Sequence, residues 1–245
     1  MSSPSALGTV DHWDSVYQRE FANYKDNKDN KGDVWYGEKA ESDAVDYYEE
    51  AWTDLFGAAG NGDDCNNRKT LDLGCGNGSM TVLLMERGVG RVFASDYVQS
   101  SVDFTKMYIT DAGVLGEGES ADDVVFMDDL RDSRWGEGRE GGMLSGIADK
   151  GTMDAFLLAE ENDPDHYVNA VGSMLEVGGF VVITSCNSTV EECRGWFEKG
   201  REGTQYRWEF LGSRVPNQAF TFGGVKGTTH FTVAFRKVEA VRVET

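Results

Sequence analysis

Basic charge is what this chain is shortest of. Its 245 residues carry 23 Lys and Arg against 43 Asp and Glu, a net charge of −20. A surface so acidic repels phosphate, which argues against sequence-independent binding of nucleic acid. It suits a basic macromolecular partner, although it also serves solubility alone. Long apolar runs are missing too. None approaches the roughly 20 residues that cross a bilayer, so no membrane span is expected. Met1 to Val10 has neither a basic n-region nor an apolar core, so no secretory leader is indicated. Cysteine is scarce: Cys65, Cys75, Cys186 and Cys193 form no CxxC pair, and none sits beside a histidine at zinc-ligand spacing. They read as reduced thiols in a cytoplasmic or nuclear protein, with no metal site expected. The three histidines, His12, His166 and His230, are scattered and give no triad pattern.

What is present is enough for a core. The hydrophobic fraction is 40%, with 13 Phe, 9 Tyr and 6 Trp, and the length suits a single α/β domain. The charge is uneven: residues 1–66 hold 15 acids against 5 bases. Asn23 to Asp33 is polar and low in complexity and reads as a loop. Val45, Tyr48, Trp52 and Leu55 recur at helical spacing within Glu38–Phe56. Gly57–Asn67 reads as a connection.

From Lys69 strands and helices alternate. Thr70–Leu73 is a short strand, Ser79–Arg87 a helix closed by Gly88, and Arg91–Ser95 a second strand running into Asp96. Ser101–Ala112 is a helix and Val124–Met127 a third strand. Ala148–Ala159 contains a fourth, around Met153–Leu158. Asp163-Pro164 is an N-cap and N1 pair that opens a helix carrying Tyr167, Val168, Val171, Met174 and Leu175. Gly178-Gly179 turns the chain into Phe180–Ser185, a continuous apolar strand. Ser188 or Thr189 caps the next helix, with Glu191 or Glu192 completing a capping box. Tyr206–Leu211 and Thr229–Arg236 are the last strands and lack an intervening helix, so they are expected to pair as a hairpin near the sheet edge. Gly116–Asp123 and Ser133–Gly146 read as surface insertions. The sum is a mostly parallel sheet with helices on both faces.

The chemistry lies in Leu71-Asp72-Leu73-Gly74-Cys75-Gly76-Asn77-Gly78. Glycines let the backbone turn sharply and approach a ligand, and the following helix points its free N–H groups at the turn. Asp96 ends the second strand, where an acid can accept from two ribose hydroxyls. A dinucleotide fold wants G-x-G-x-x-G, but the last position of that pattern is Ser79. The pattern here is D-x-G-x-G-x-G from Asp72. An acid at Asp72 is wrong for a pyrophosphate and right for a cofactor with a cationic amino-acid end.

This is the signature of class I S-adenosylmethionine-dependent methyltransferases, which the sequence resembles. The resemblance implies a Rossmann-like, seven-stranded, mostly parallel sheet with an antiparallel C-terminal hairpin. Further segments narrow it. Trp13-Asp14-Ser15-Val16-Tyr17 followed by Val34-Trp35-Tyr36-Gly37-Glu38 looks like the N-terminal lead of the elongation factor 1-alpha lysine methyltransferases. Asp149-Lys150-Gly151-Thr152-Met153-Asp154-Ala155 resembles their DKGTxDA segment, and Thr184-Ser185-Cys186-Asn187-Ser188-Thr189 the strand-five end of the type-2 branch. Phe222-Gly223-Gly224 fits as well. The likeness runs from about Trp13 to Phe235. It departs at the Gly-rich 133–146 stretch, at Val177, where the family has proline, and at the asparagine tract of 23–30.

The resemblance implies residues 1–66 as a lid or substrate-side segment with one helix, and 67–245 as the catalytic domain. Asp72, Gly74, Cys75 and Gly76 would hold the methionine end of S-adenosyl-L-methionine. Asp96 would take the ribose hydroxyls, Tyr97 would pack on the adenine, and Asp129 or Asp128 would accept from its amino group. Trp13, Tyr17 and Trp35 would fold over the cofactor. Asp149 and Lys150 would face the transferred methyl, with Asp149 and Asn187 as catalytic candidates. The expected substrate is elongation factor 1-alpha, and the protein is expected to be a monomer. Plainer readings stand beside these. Asp72 could serve only the turn, Asp96 could cap its strand, Asp128 and Asp129 could be solvated, and the N-terminal aromatics could be core. Lys150 could contribute only backbone, and Cys186 is expected to be a small buried residue rather than a nucleophile. A small-molecule methyltransferase, or a cofactor-binding relative without turnover, remains an alternative on the same fold.

Overall fold

A computed structural model describes residues 5–58, 67–133, 135, 143–159, 163–200, 204–216, 219–222 and 225–240. Two helices precede the sheet: α1, Val10–Asp26, and α2, Glu38–Phe56. The sequence reading had one. Helix α1 escapes notice because its pattern is dominated by charge; it buries only Trp13, Glu20 and Tyr24. It also runs four residues into the polar stretch read as a loop. Phe21 and Tyr24 stack on Phe104, at ring-centroid distances of 5.6 and 5.2 Å.

The parallel core follows in alternation. It comprises β1, Lys69–Leu73; α3, Ser79–Arg87; β2, Arg91–Asp96; α4, Gln99–Ala112; α5, Ala121–Val124; and β3, Val125–Met127. Next come β4, Leu144–Lys150; α6, Thr152–Leu157; α7, Pro164–Met174; β5, Leu175–Ser185; and α8, Val190–Glu198. The chain closes with β6, Tyr206–Arg214; β7, Ala219–Phe222; β8, Val225–Thr228; and β9, Phe231–Glu239.

Two sequence assignments are displaced. Leu175, read as the end of a helix, and the Gly178-Gly179 turn both lie within β5. The fourth strand is Leu144–Lys150, and Met153–Leu158 belongs to α6 and its cap. The strand sequence LSGIADK has little β-branched character, whereas MDAFLL is a short apolar run that periodicity cannot assign. The strand forms because it is inserted between β1 and β5 and buried on both faces. The stretch 133–146, expected to be a surface insertion, therefore gives its last residues to the sheet; 134 and 136–142 lie outside the described residues. Cys65, most of the Gly57–Asn67 connection and Gly223-Gly224 also lie outside them.

The seven strands run in the order β3-β2-β1-β4-β5-β9-β6. Strands β1 to β5 are mutually parallel, and β9 is antiparallel to both β5 and β6. The terminal pair is thus present, with the antiparallel strand one place in from the edge. A two-stranded hairpin, β7–β8, stands between its members. Along each strand successive residues serve opposite layers. Leu71, Phe93, Ile147, Val181, Val233 and Phe235 face α4, α7 and α8. Val92, Ala148, Phe180 and Val182 face Val45, Tyr48 and Trp52 of α2, together with Met80 and Leu84 of α3. Because both faces are covered, the sheet's free ground is its carboxyl edge, and the strand order reverses between β1 and β4 at that edge.

Candidate active site

The site is built at that reversal. Register sets Leu73 beside Ser95 on one side and Asp149 on the other, so three strands end together. The Gly-rich turn then folds back over β2: the N–H groups of Gly74 and Cys75 both donate to the Ser95 carbonyl, at 2.8 and 2.9 Å. Gly74 has φ of +75°, and a Cβ there would run into the Thr152 side chain. Gly76 has φ of +58°, and a Cβ would lie 2.7 Å from the Tyr17 hydroxyl. These two positions demand glycine on both grounds. Helix α3 starts directly after the turn, with Gly78 as its N-cap.

The carboxylates differ in what they do. Asp72 is fully buried; its Oδ2 accepts from the Thr81 hydroxyl at 2.6 Å, and its Oδ1 is buried with no partner. Burial pushes its pKa up to about 7, and the nearby Lys150 only partly offsets that. A lone buried acceptor is costly unless a donor arrives. Asp72 is thus bonded to the Thr81 hydroxyl and to no N–H of its turn. Asp96 does cap its strand, accepting from the N–H groups of Gly76 at 3.1 Å and Val98 at 3.0 Å, and burial raises its pKa. It nonetheless lines the same cavity.

That cavity encloses about 1030 Å³ of empty space, part of it open to solvent. Every residue expected to bind the cofactor lines it: Trp13, Tyr17, Trp35, Asp72, Gly74, Cys75, Gly76, Asp96, Tyr97, Asp128, Asp129 and Lys150. Trp13 forms one aromatic group with Tyr17 and Trp35, at 5.9 and 4.6 Å between centroids, and its indole N–H is tied to the Leu7 carbonyl at 2.8 Å. Trp13 is buried, and Tyr17 and Trp35 are partly exposed on the cavity wall. Asp129 spends its oxygens on the backbone and side chain of Arg131, which hold its pKa down against the effect of burial. Asp128 commits Oδ2 to the Ser133 hydroxyl at 2.6 Å.

Two expected residues fall outside the lining. Asp149 was expected to face the cavity, but it turns inward. Its Oδ1 accepts from the Thr152 N–H at 2.9 Å, and its Oδ2 from Met153 N–H and the Tyr167 hydroxyl, at 3.0 and 2.6 Å. It caps α6, and burial raises its pKa to about 7. These bonds tie it to the first two N–H groups of α6, behind the Lys150–Thr152 rim. Asn187 is exposed beyond the end of β5, with its N–H on Asp154. Cys186 beside it is exposed rather than buried. Its thiol pKa is raised by the partial burial it has, which does not suit a nucleophile.

The structure adds residues to which the sequence reading gave no role at the site. Glu41 of α2 reaches the cavity, 97% buried, bonded to the Ser79 hydroxyl at 2.6 Å and 3.5 Å from the Lys150 ammonium. On the sequence it is one acid among many on a polar helix face, with nothing to mark it. Asp33, Arg131, Thr152 and Phe156 also line the cavity. Asp154 is a buried hub. It receives the Tyr36 hydroxyl at 2.6 Å, the Ser185 hydroxyl and the Cys186 N–H at 2.8 Å, tying the N-terminal lead to the end of β5. Tyr36 sits at φ of +65°, the one non-glycine described residue with positive φ.

The donor set fits S-adenosyl-L-methionine: an unpartnered buried carboxylate, a glycine cradle, a strand-end acid and an aromatic wall. Curated proteins are similar to the chain along most of its length. The human EEF1A lysine methyltransferase 2 is 30% identical over 241 residues, covering 96% of this chain and 88% of its own. The protein-lysine N-methyltransferase efm4 of Schizosaccharomyces pombe is 32% identical over 240 residues, covering 95% and 94%. No family model matches the chain. Among solved structures, magnesium protoporphyrin IX methyltransferase from Synechocystis PCC 6803 with bound SAM aligns with a TM-score of 0.53 at 10% identity, over 90% of this chain and 96% of its own. An rRNA methylase from Streptococcus thermophilus aligns at 0.52 and 14%, over 80% and 97%. At such identities the likeness speaks for the fold alone.

Proposed function

We propose that this chain, which belongs to the EEF1A lysine methyltransferase 2 family, methylates a lysine of translation elongation factor 1-alpha, with S-adenosyl-L-methionine as donor. The carrying observation is that residues from well-separated stretches, chosen on motif alone, converge on one cavity at the carboxyl edge of the sheet. The cofactor, when bound, supplies an electrophilic methyl on a sulfonium. All else is work for the protein. The open Oδ1 of Asp72 and the turn at Gly74–Gly76 hold the amino-acid end. Asp96 accepts from the ribose hydroxyls, and Tyr97 packs on the base. Asp128 takes the adenine amino group in preference to Asp129, whose oxygens Arg131 already occupies.

The acceptor lysine must arrive neutral. No histidine lines the cavity among the described residues, and the oxygens of Asp149 are spent on the α6 cap. The aromatic wall of Trp13, Trp35 and Phe156 lowers the acceptor's pKa by desolvation, and a neighbouring positive charge adds to that. Alignment and approach then supply most of the acceleration. The net charge of −20 favours encounter with a basic protein.

The test is transfer of labelled methyl to purified elongation factor 1-alpha, with a deproteinised cell extract in parallel. Label on the protein, diminished by salt, is the expected result. Label appearing only in the extract would move the function to a small-molecule acceptor. Binding of the cofactor with label in neither would leave a non-catalytic relative.

A further inference from the structure

Three ionisable groups of the cavity are incompletely paired. Asp72 Oδ1 is buried and unpaired. Glu41, contributed by α2 from outside the Gly-rich turn, is 97% buried and lines the cavity. Lys150 stands between the walls, and its contacts are long: 3.5 Å to Glu41 and 3.4 Å to the Trp35 carbonyl. An ammonium carries three donors and makes its stronger bonds to carboxylate nearer 2.8 Å. A buried pair so loosely matched does not offset the cost of desolvating it. The ledger of charge points the same way. Around Asp72 stand Glu41, Asp96 and one ammonium, that of Lys150. Asp96 already accepts from the N–H groups of Gly76 and Val98, so Asp72 and Glu41 are left to share that ammonium; this end has a place for one more cation, and Lys150 could then serve an anion. A free amino acid end carries one of each.

We propose that Glu41 is a cofactor-binding residue. Its carboxylate joins Asp72 in taking the cofactor's α-ammonium, while Lys150 turns from Glu41 to the α-carboxylate. The N-terminal segment thereby supplies one of the charges that recognise the donor, and does more than cover it. Ser79, whose hydroxyl donates to Glu41 at 2.6 Å, holds that carboxylate in place. The inference rests on the S-adenosyl-L-methionine reading of the cavity.

The test is calorimetric affinity, with two ligands that differ only at this end: S-adenosylhomocysteine, which keeps the zwitterion, and 5′-methylthioadenosine, which lacks it. Glu41→Gln keeps the size of the side chain and an acceptor for Ser79. It should weaken S-adenosylhomocysteine about tenfold or more, as loss of a charge-assisted bond does, and leave 5′-methylthioadenosine within about twofold. Lys150→Gln should show the same split from the other side of the zwitterion. Equal weakening of both ligands by Glu41→Gln would mean a disturbed wall and overturn the proposal. So would no change in either. If Glu41→Gln melts early, the Lys150→Gln variant decides by the same split. Failure of the unmodified protein to bind either ligand would overturn the cofactor reading and this inference with it.

Discussion

The two walls of the cavity are made by different means. The sheet-side wall comes from β1, β2 and β4 ending in register, and its turn is held by backbone bonds to Ser95 and by glycines at positive φ. The N-terminal wall comes from α1, the lead at 33–37 and α2. It is held by side chains that cross long stretches of sequence: Tyr36 to Asp154, Asn77 to the Lys31 carbonyl, Ser100 to Asp14 and Ser79 to Glu41. The first wall is rigid because moving it would break the sheet. The second can be altered one side chain at a time, and that is where discrimination between ligands and between acceptors can be tuned without unfolding the core.

If that contrast is right, damage to the sheet-side wall should be the most severe. Asp96→Ala removes the expected acceptor of two ribose hydroxyls and also releases the N–H groups of Gly76 and Val98. S-adenosylhomocysteine binding should fall by about a hundredfold or more, since each bond to a charged acceptor contributes roughly 1.5–3 kcal/mol. Near-normal affinity in calorimetry would sink the assignment. Gly74→Ala should come next. It forces a side chain into Thr152 at a left-handed φ, costing about 1–3 kcal/mol of stability, read as an earlier denaturant midpoint. A midpoint equal to that of the unmodified protein would mean that the turn is softer than it looks.

A subtler effect lies where the two walls meet. Asp72 is faced by Lys150 from β4, Glu41 from α2, Asp96 from β2 and the Thr81 hydroxyl from α3. Its pKa is raised to about 7, so near neutrality part of the free protein carries a proton on it. A ligand ammonium favours the ionised form. Binding therefore strengthens as pH rises through 7 and weakens below it, at most about tenfold per unit for one proton. Titrations of S-adenosylhomocysteine from pH 6 to 8 should show this slope, and Asp72→Asn should flatten it. A flat profile in the unmodified protein would contradict the role given to Oδ1. The smallest effect is expected far from both walls. Arg194 and Glu198 pair at 3.0 Å on the half-exposed face of α8, and Glu198→Ala, which leaves Arg194 over the Phe210 ring, should change stability by about 0.3–0.5 kcal/mol. A shift of several degrees in melting temperature would show that this pair matters beyond its screened charge.

Much of the molecule can be read in one dimension. The helix Glu38–Phe56, the D-x-G-x-G-x-G turn, Asp96 at the end of β2 and the Asp163-Pro164 start carry local signals: apolar period, glycine at a forced turn, an acid at a strand end, a cap beside a proline. Those signals work because the physics behind them is short in range. Helix α1 and strand β4 had no such signal. The first is a charged helix whose fit to α4 rests on a few aromatics, and the second is an unpromising strand made stable by its neighbours.

The sequence by itself determined the fold class, the place of the cofactor turn and the acids around it, since each is read from a series of local signals: apolar period, cap, glycine turn and strand-end acid. Tertiary structure alone decided which carboxylates are available. Asp149 and Asp72 are alike in sequence terms, each an acid near the end of a central strand, and burial raises both to about the same value. The difference is what lies in reach. Asp149 meets the N–H groups of α6 and the Tyr167 hydroxyl and is used up in holding them. Asp72 meets only Thr81 and keeps one oxygen for a ligand. Glu41 becomes part of the site for the same reason, because α2 packs on α3 and carries it there. Contacts across dozens of residues depend on how layers stack, and that information is not local to any stretch of the chain.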